Sequence, residues 1–104
     1  MQEIDVRDLA ALGDDAVILD VREPDELVSA RLANAIPIPM SGFLDALEQI
    51  PDVGTLYVLC HSGGRSARVT AYLEQSGRDA VNVTGGITAW AEAGLPIVSG
   101  PLND

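Results

Sequence analysis

The stretch that decides the fold is LYVLCHSGGRS, residues 56–66. The apolar and β-branched run from Thr55 to Leu59 predicts a buried strand. That strand ends at a short loop containing Cys60, the only cysteine in the chain. Beyond the loop the apolar residues take a helical spacing, which predicts a helix from Ser66 to Ser76 that stops at Gly77. The stretch therefore encodes a strand–loop–helix unit with a thiol at the carboxyl end of the strand.

The composition of this loop indicates an acidified thiol. Gly63 and Gly64 allow the backbone to curl because glycine tolerates positive φ, and a curled loop can point successive N–H groups inward. The N-terminus of the next helix adds its dipole. Cysteines at helix N-termini or beside arginine titrate at about 3.5–7.5 instead of about 8.5. We expect Cys60 to be a thiolate nucleophile, with Arg65 holding an anionic substrate. An inert core cysteine is the alternative, against which the glycine-rich neighbours argue.

The loop from Cys60 to Ser66 resembles the active-site loop of single-domain rhodanese-like proteins. DVREPDE, at residues 20–26, resembles the first signature of that family. GGITAW, at residues 85–90, with GLPI at residues 94–97, resembles its C-terminal signature. The three stretches lie in the family's order and together span nearly the whole chain, so they are specific as a set.

Strands that alternate with helices predict an α/β domain with a mainly parallel sheet. The resemblance implies a central sheet of about five strands flanked by helices on both faces. We expect a single rhodanese-like domain over residues 1–104, with a core of about 4–98 and a frayed tail at 99–104. Other expected elements are a helix capped by Asp5 and ended by Gly13, a strand at 16–19, a short helix with Pro24 in its first turn, an extended edge at 36–39, a helix capped by Ser41 with Phe43, Leu44, Leu47 and Ile50 on one face, a strand at 80–83 and a helix bearing Trp90.

Composition excludes several classes of partner. The net charge is −10 and all six basic residues are arginine, which argues against nucleic acid and anionic membranes. We expect no signal peptide and no membrane span, and hence a cytoplasmic protein. Because Arg65 and Arg68 follow Cys60 closely, they put positive charge beside the thiol of an acidic protein.

The resemblance implies sulfurtransferase activity. Cys60 would attack the outer sulfur of a donor such as thiosulfate, become a persulfide, and pass that sulfur to cyanide or a thiol in a ping-pong sequence. Arg65 would hold the sulfonate end of the donor. No metal or organic cofactor is expected, since one histidine and one cysteine make no zinc site. Backbone N–H groups of the loop would stabilise the persulfide; its residues are His61, Ser62, Gly63, Gly64, Arg65 and Ser66.

Three residues allow two interpretations each. Asp20 and Arg22, at the end of a predicted strand, support the Cys60 loop from behind or form an ion pair that closes the strand. His61 supplies a titrating charge that favours anion binding, or it is an exposed side chain whose backbone N–H alone matters; we favour the second interpretation.

The segment 30–35 departs from the family pattern, and we expect Asn34 to replace a left-handed glycine there.

Two rival functions stay open. Related phosphatases and arsenate reductases have a Cys-x5-Arg loop, whereas Cys60 and Arg65 are separated by four residues, which suits one sulfur atom better than a phosphate. The other rival is a non-catalytic or sulfur-carrier module whose donor or acceptor is another protein. A carrier would turn over thiosulfate and cyanide slowly and yet load readily from a protein persulfide. The lone cysteine leaves no internal resolving thiol, so either form of sulfur transfer requires an external acceptor.

Overall fold

A parallel sheet forms the centre of the molecule in the computed structural model, which describes residues 1–102. Along these residues the chain forms five strands and four α-helices, together with two 3₁₀ segments. Their bounds are β1 Gln2–Ile4, α1 Val6–Ala11, a 3₁₀ turn Gly13–Asp15, β2 Val17–Asp20, α2 Pro24–Ser29, β3 Ile36–Pro37, a 3₁₀ segment Met40–Gln49, β4 Thr55–Leu59, α3 Gly64–Gln75, β5 Asp79–Val83 and α4 Gly86–Glu92.

The strand order is β1-β5-β4-β2-β3, and each of these pairings is parallel. Side chains of β4 alternate between the two faces: Leu56 and Val58 pack with α3, and Leu59 packs with α1 and α4. The predicted α/β fold with helices on both faces is therefore confirmed. Because parallel strands end at one edge of the sheet, the residue after β4 lies at the centre of that edge, beside the end of β2. No helix within residues 1–102 is long and apolar enough to cross a membrane.

The first strand was not predicted from the sequence. Gln2, Glu3 and Ile4 pair with β5, and only Ile4 is partly buried, so three residues carry no alternation that would mark a strand. The helix capped by Asp5 does form: its carboxylate accepts the N–H of Arg7 at 2.8 Å. This helix ends at Ala11, and a 3₁₀ turn leads into β2.

The α-helix predicted to begin at Ser41 is wrong, as the segment Met40–Gln49 shows. It is 3₁₀, with non-helical dihedrals at Gly42, so residues three apart share a face. Phe43 is buried and meets Tyr72 edge to face, whereas Leu44 is 66% exposed. The predicted Ser41 cap is also wrong, because no side chain caps this segment and the Ser41 hydroxyl donates to the Glu23 carboxylate at 2.7 Å.

The C-terminal segment is attached to the domain as far as the structure describes it. Val98 forms an antiparallel bridge with Arg31. The Gly100 N–H donates to the Val28 carbonyl at 2.8 Å, and the Arg31 guanidinium donates to the Gly100 carbonyl at 2.9 Å. The predicted fraying is wrong at Gly100, while positions 103 and 104 lie outside the described residues. The left-handed turn predicted at Asn34 is also absent, since every positive φ within residues 1–102 belongs to glycine.

Candidate active site

Cys60 lies directly after β4, at the centre of the carboxyl edge of the sheet, and α3 begins four residues later. The residue is only 1% exposed. The thiol therefore lies almost entirely beneath the loop that follows β4.

Hydrogen-bond donors converge on this sulfur. The Gly63 N–H donates to Cys60 Sγ at 3.1 Å, and the Ser66 hydroxyl oxygen lies 3.3 Å from the same atom. Burial raises the pKa of the thiol, but hydrogen bonds from the Ser66 hydroxyl and from the backbone N–H groups of Ser66, Gly63 and Ser62 together lower it by more than burial raises it. The net pKa of Cys60 is lowered from its ordinary value, because a thiolate accepts these bonds better than a thiol does.

The Ser66 hydroxyl also contacts a residue that the sequence analysis missed. Its oxygen lies 2.5 Å from Asn82 Oδ1, and both side chains are buried. A hydroxyl carries one proton. When the thiol is protonated, its S–H donates to Ser66, and Ser66 donates to Asn82; when Cys60 ionises, the hydroxyl proton turns to the sulfur. The signal for Asn82 was a single amide inside an otherwise apolar strand, where burial demands a partner.

The same role was predicted for both loop glycines, but the structure confirms a positive φ only at Gly63. Gly63 has φ +111°, so it makes the turn that only glycine adopts readily, and its N–H reaches the sulfur. Gly64 is instead the first residue of α3; it has no positive φ, and a β-carbon added there would meet no neighbour within 4 Å. The helix thus begins two residues before the predicted start at Ser66.

The C-terminal signature supports the loop from behind. The Ile87 N–H donates to the Cys60 carbonyl at 2.9 Å, and the Thr88 N–H donates to the His61 carbonyl at 3.1 Å. In a trans peptide the N–H points opposite to the C=O, so holding the His61 carbonyl turns the Ser62 N–H toward the sulfur. Gly86 makes this approach possible, because a β-carbon there would collide with the Cys60 carbonyl oxygen.

Arg65 is ion-paired within the protein. Its Nη1 and Nη2 lie 2.7 Å and 2.8 Å from the two carboxylate oxygens of Glu26, a bidentate contact. The Arg65 hydrogen bond lowers the pKa of Glu26 to about 2, and the Glu26 hydrogen bond raises the pKa of Arg65. The guanidinium that was expected to hold an anion thus faces an internal carboxylate.

Arg22 forms an ion pair with Asp20 and also bonds to the end of α2. Arg22 Nη2 lies 2.7 Å from Asp20 Oδ2 and donates to the Ala30 carbonyl at 2.8 Å, and both side chains are at most 3% exposed. Of the two interpretations, this geometry corresponds to the ion pair that closes the strand. Because Arg22 also holds the last turn of α2, the pair positions the helix that carries Glu26.

His61 is exposed, and its Nε2 lies 3.3 Å from the Thr88 hydroxyl. Its main-chain carbonyl, which α4 binds, is the part of the residue that shapes the loop. Across residues 1–102, no group of three or more histidine, cysteine or acidic side chains is arranged to hold a metal ion.

The strand–loop–helix unit thus places a buried cysteine of lowered pKa at the carboxyl edge of a parallel sheet, in an α/β protein. The chain belongs to the family described as the rhodanese-like domain, which matches residues 5–93. The resemblance read from its three motifs is therefore confirmed.

Relatives of similar length carry sulfurtransferase names. A protein named sulfurtransferase from Allochromatium vinosum is 37% identical over 103 residues, covering 95% of this chain and 96% of the relative. The chloroplastic thiosulfate sulfurtransferase 16 of Arabidopsis thaliana is 37% identical over 91 residues, covering 75% and 76%. The crystal structure of a rhodanese-related protein from Thermoplasma volcanium superimposes with a TM-score of 0.89 at 37% identity, covering 94% of this chain and 98% of that one.

Proposed function

We propose that this protein is a sulfurtransferase whose Cys60 thiolate takes up a sulfane sulfur as a persulfide and delivers it to a thiol or to cyanide. The observation that carries the proposal is the cradle of donors round Sγ: the Gly63 N–H at 3.1 Å and the Ser66 hydroxyl at 3.3 Å. Membership of the rhodanese-like family and the sulfurtransferase names of its relatives support it.

The reaction balances without an added oxidant or reductant. The Cys60 thiolate attacks the outer sulfur of thiosulfate, the S–S bond of thiosulfate breaks, and sulfite leaves with the electron pair. The outer sulfur is then the negative terminus of a persulfide. Cyanide or a thiolate attacks this sulfur, a new bond to sulfur forms, and the Cys60 thiolate departs. In each step a nucleophile attacks the outer sulfur, and the group bound to that sulfur leaves with the electron pair.

The loop suits this chemistry because its donors surround a single sulfur. The N–H groups of Ser62, Gly63 and Ser66 act on Sγ, so they stabilise the attacking thiolate and its later departure. Four residues separate Cys60 from Arg65, one fewer than in the Cys-x5-Arg loops of related phosphatases, and a smaller loop suits one sulfur atom better than a phosphate. The loop length thus favours sulfur transfer over the phosphatase alternative.

The carrier alternative concerns the partner and leaves the Cys60 chemistry unchanged. In it, the donor or the acceptor of the sulfur is a second protein, and thiosulfate turnover with cyanide is slow. The bidentate pair between Arg65 and Glu26 is the observation that favours it, because this pair occupies the guanidinium that would otherwise face a small dianion.

Steady-state kinetics test the proposal. Initial rates of thiocyanate formation are measured over a grid of thiosulfate and cyanide concentrations. A persulfide intermediate predicts parallel lines in a double-reciprocal plot, and Cys60→Ser reduces the rate to the uncatalysed background. Intersecting lines, or turnover that survives in Cys60→Ser, would refute the proposed mechanism.

A further inference from the structure

The arginine expected to hold the donor already has a partner. Both terminal nitrogens of Arg65 are bound to Glu26, at 2.7 Å and 2.8 Å, and the pair is about one-third exposed. A bidentate guanidinium–carboxylate contact uses the same fork that would bind a sulfonate. An anionic donor therefore meets a neutral pair, one half of which repels it.

Glu26 is held in this position from a second side. Its Oε1 also accepts the N–H of Glu23 at 3.0 Å, which makes a capping box at the start of α2. Glu23 in turn accepts the hydroxyl of Ser41 at 2.7 Å, which fixes the start of the helix against the segment Met40–Gln49. The carboxylate is thus built into the loop's surroundings and does not swing freely in solvent.

The charge of Glu26 persists at every physiological pH. The pKa of its carboxyl is lowered to about 2, chiefly by the Arg65 hydrogen bond, so protonation does not release Arg65. The net charge of −10 adds to the repulsion of small anions. By contrast, a donor whose leaving group carries no second negative charge has no need of Arg65.

We propose, on the basis of the sulfur-transfer function above, that Glu26 is a specificity-determining residue that directs the site toward organic, singly charged sulfane-sulfur donors and against the dianion thiosulfate. Organic thiosulfonates and the persulfides of low-molecular-weight thiols are the chemical class. In either, the Cys60 thiolate attacks the outer sulfur, the S–S bond breaks, and the sulfinate or thiolate leaves with the electron pair.

Thiosulfate and methanethiosulfonate form a matched pair of probes. Both present the same outer sulfur on a tetrahedral SO₂ centre, but a methyl group in methanethiosulfonate replaces one charged oxygen. The ratio of kcat/KM for the two donors, with cyanide as acceptor, therefore reports the effect of one additional charge. Glu26→Gln removes the negative charge while keeping an oxygen that can accept from Arg65 and from the Glu23 N–H.

We expect Glu26→Gln to raise kcat/KM for thiosulfate about tenfold relative to methanethiosulfonate. A tenfold change corresponds to about 1.4 kcal/mol, which is of the same order as the interaction energy of two unit charges about 4 Å apart in water. The control is Glu74→Gln, which removes one charge near the far end of α3, ten residues and about 15 Å from Gly64. This control should leave the ratio of the two donors unchanged.

Two results would overturn the inference, and they differ from each other. If Glu26→Gln leaves the ratio unchanged or lowers it, Glu26 serves only to orient Arg65 for thiosulfate, and the specificity role is refuted while sulfur transfer stands. If neither donor adds sulfur to the wild-type protein in intact mass measurements, the sulfurtransferase function itself fails, and the inference with it.

Discussion

Replacing Ser66 by alanine removes a hydroxyl 3.3 Å from the Cys60 sulfur and leaves the backbone N–H donors in place. The hydroxyl stabilises the thiolate, which is the deprotonated form, so its loss raises the pKa of Cys60. A hydrogen bond to a charged group contributes about 1.5–3 kcal/mol, and a neutral one about 0.5–1.5 kcal/mol. The hydroxyl proton leaves Asn82 when it turns to the sulfur. The net stabilisation of the thiolate is therefore the difference between the energies of the charged and the neutral hydrogen bond.

That difference is about 1–1.5 kcal/mol, and one pKa unit corresponds to about 1.36 kcal/mol, so the expected rise is about one unit. The assay is the rate of alkylation of Cys60 by iodoacetamide as a function of pH, followed by intact mass. The chain has one cysteine, so each added mass reports this thiol. The midpoint of the rate profile gives the pKa directly.

Ser62→Ala is the matched control, because it removes an exposed hydroxyl from the same loop while retaining the Ser62 N–H. It should leave the midpoint unchanged. A midpoint in Ser66→Ala that equals or falls below that of the wild type would refute the account of thiolate stabilisation.

Three further predictions concern stability, measured as the free energy of unfolding in urea. Gly86→Ala should lower the free energy of unfolding by about 2 kcal/mol or more, because residue 86 has φ +58° and a β-carbon there would collide with the Cys60 carbonyl oxygen. Gly64→Ala, where a β-carbon meets nothing, should be neutral or slightly stabilising, and equal losses in the two variants would refute this prediction. Asp20→Ala should lose about 3–5 kcal/mol by leaving Arg22 buried and unpaired, and a loss under about 1 kcal/mol would contradict it. The pKa of Glu26 in the folded protein is lowered, so its ionised carboxylate should stabilise the fold fully above about pH 4.5 and progressively less as the pH falls toward 2. A greater stability of the wild type over Glu26→Gln that persists at pH 2 would argue against this contribution.

The elements that could be predicted from the sequence are those with a pattern of apolar residues in the element itself. Residues 55–59 form one apolar run, and the helix after the loop has regular spacing, so the strand–loop–helix unit around Cys60 was predictable. The strand Gln2–Ile4 has no such pattern, because it is defined by its pairing with β5. The segment Met40–Gln49 does have a helical spacing, but it is 3₁₀ with non-helical dihedrals at Gly42, and Phe43 packs edge to face on Tyr72 of α3.

The site shows the same division. Cys60 and the backbone N–H groups that donate to its sulfur lie within seven consecutive residues, 60–66, so one motif predicts them. The partners of that motif come from distant parts of the chain: Glu26 is 39 residues from Arg65, and Asn82 is 16 residues from Ser66. Arg65 was expected to hold an anionic substrate, and only the packing of α2 against the loop identifies Glu26 as its partner within the protein.

The central claim, that sulfur passes through Cys60, is tested most directly by intact mass after incubation with a sulfane donor. Thiosulfate and methanethiosulfonate are both supplied, so that a preference between donors does not mask loading. We expect a gain of one sulfur atom in the wild type, no gain in Cys60→Ser, and loss of the added sulfur when cyanide is present. A wild-type protein that gains no sulfur from either donor, or a Cys60→Ser variant that gains it equally, would contradict the account.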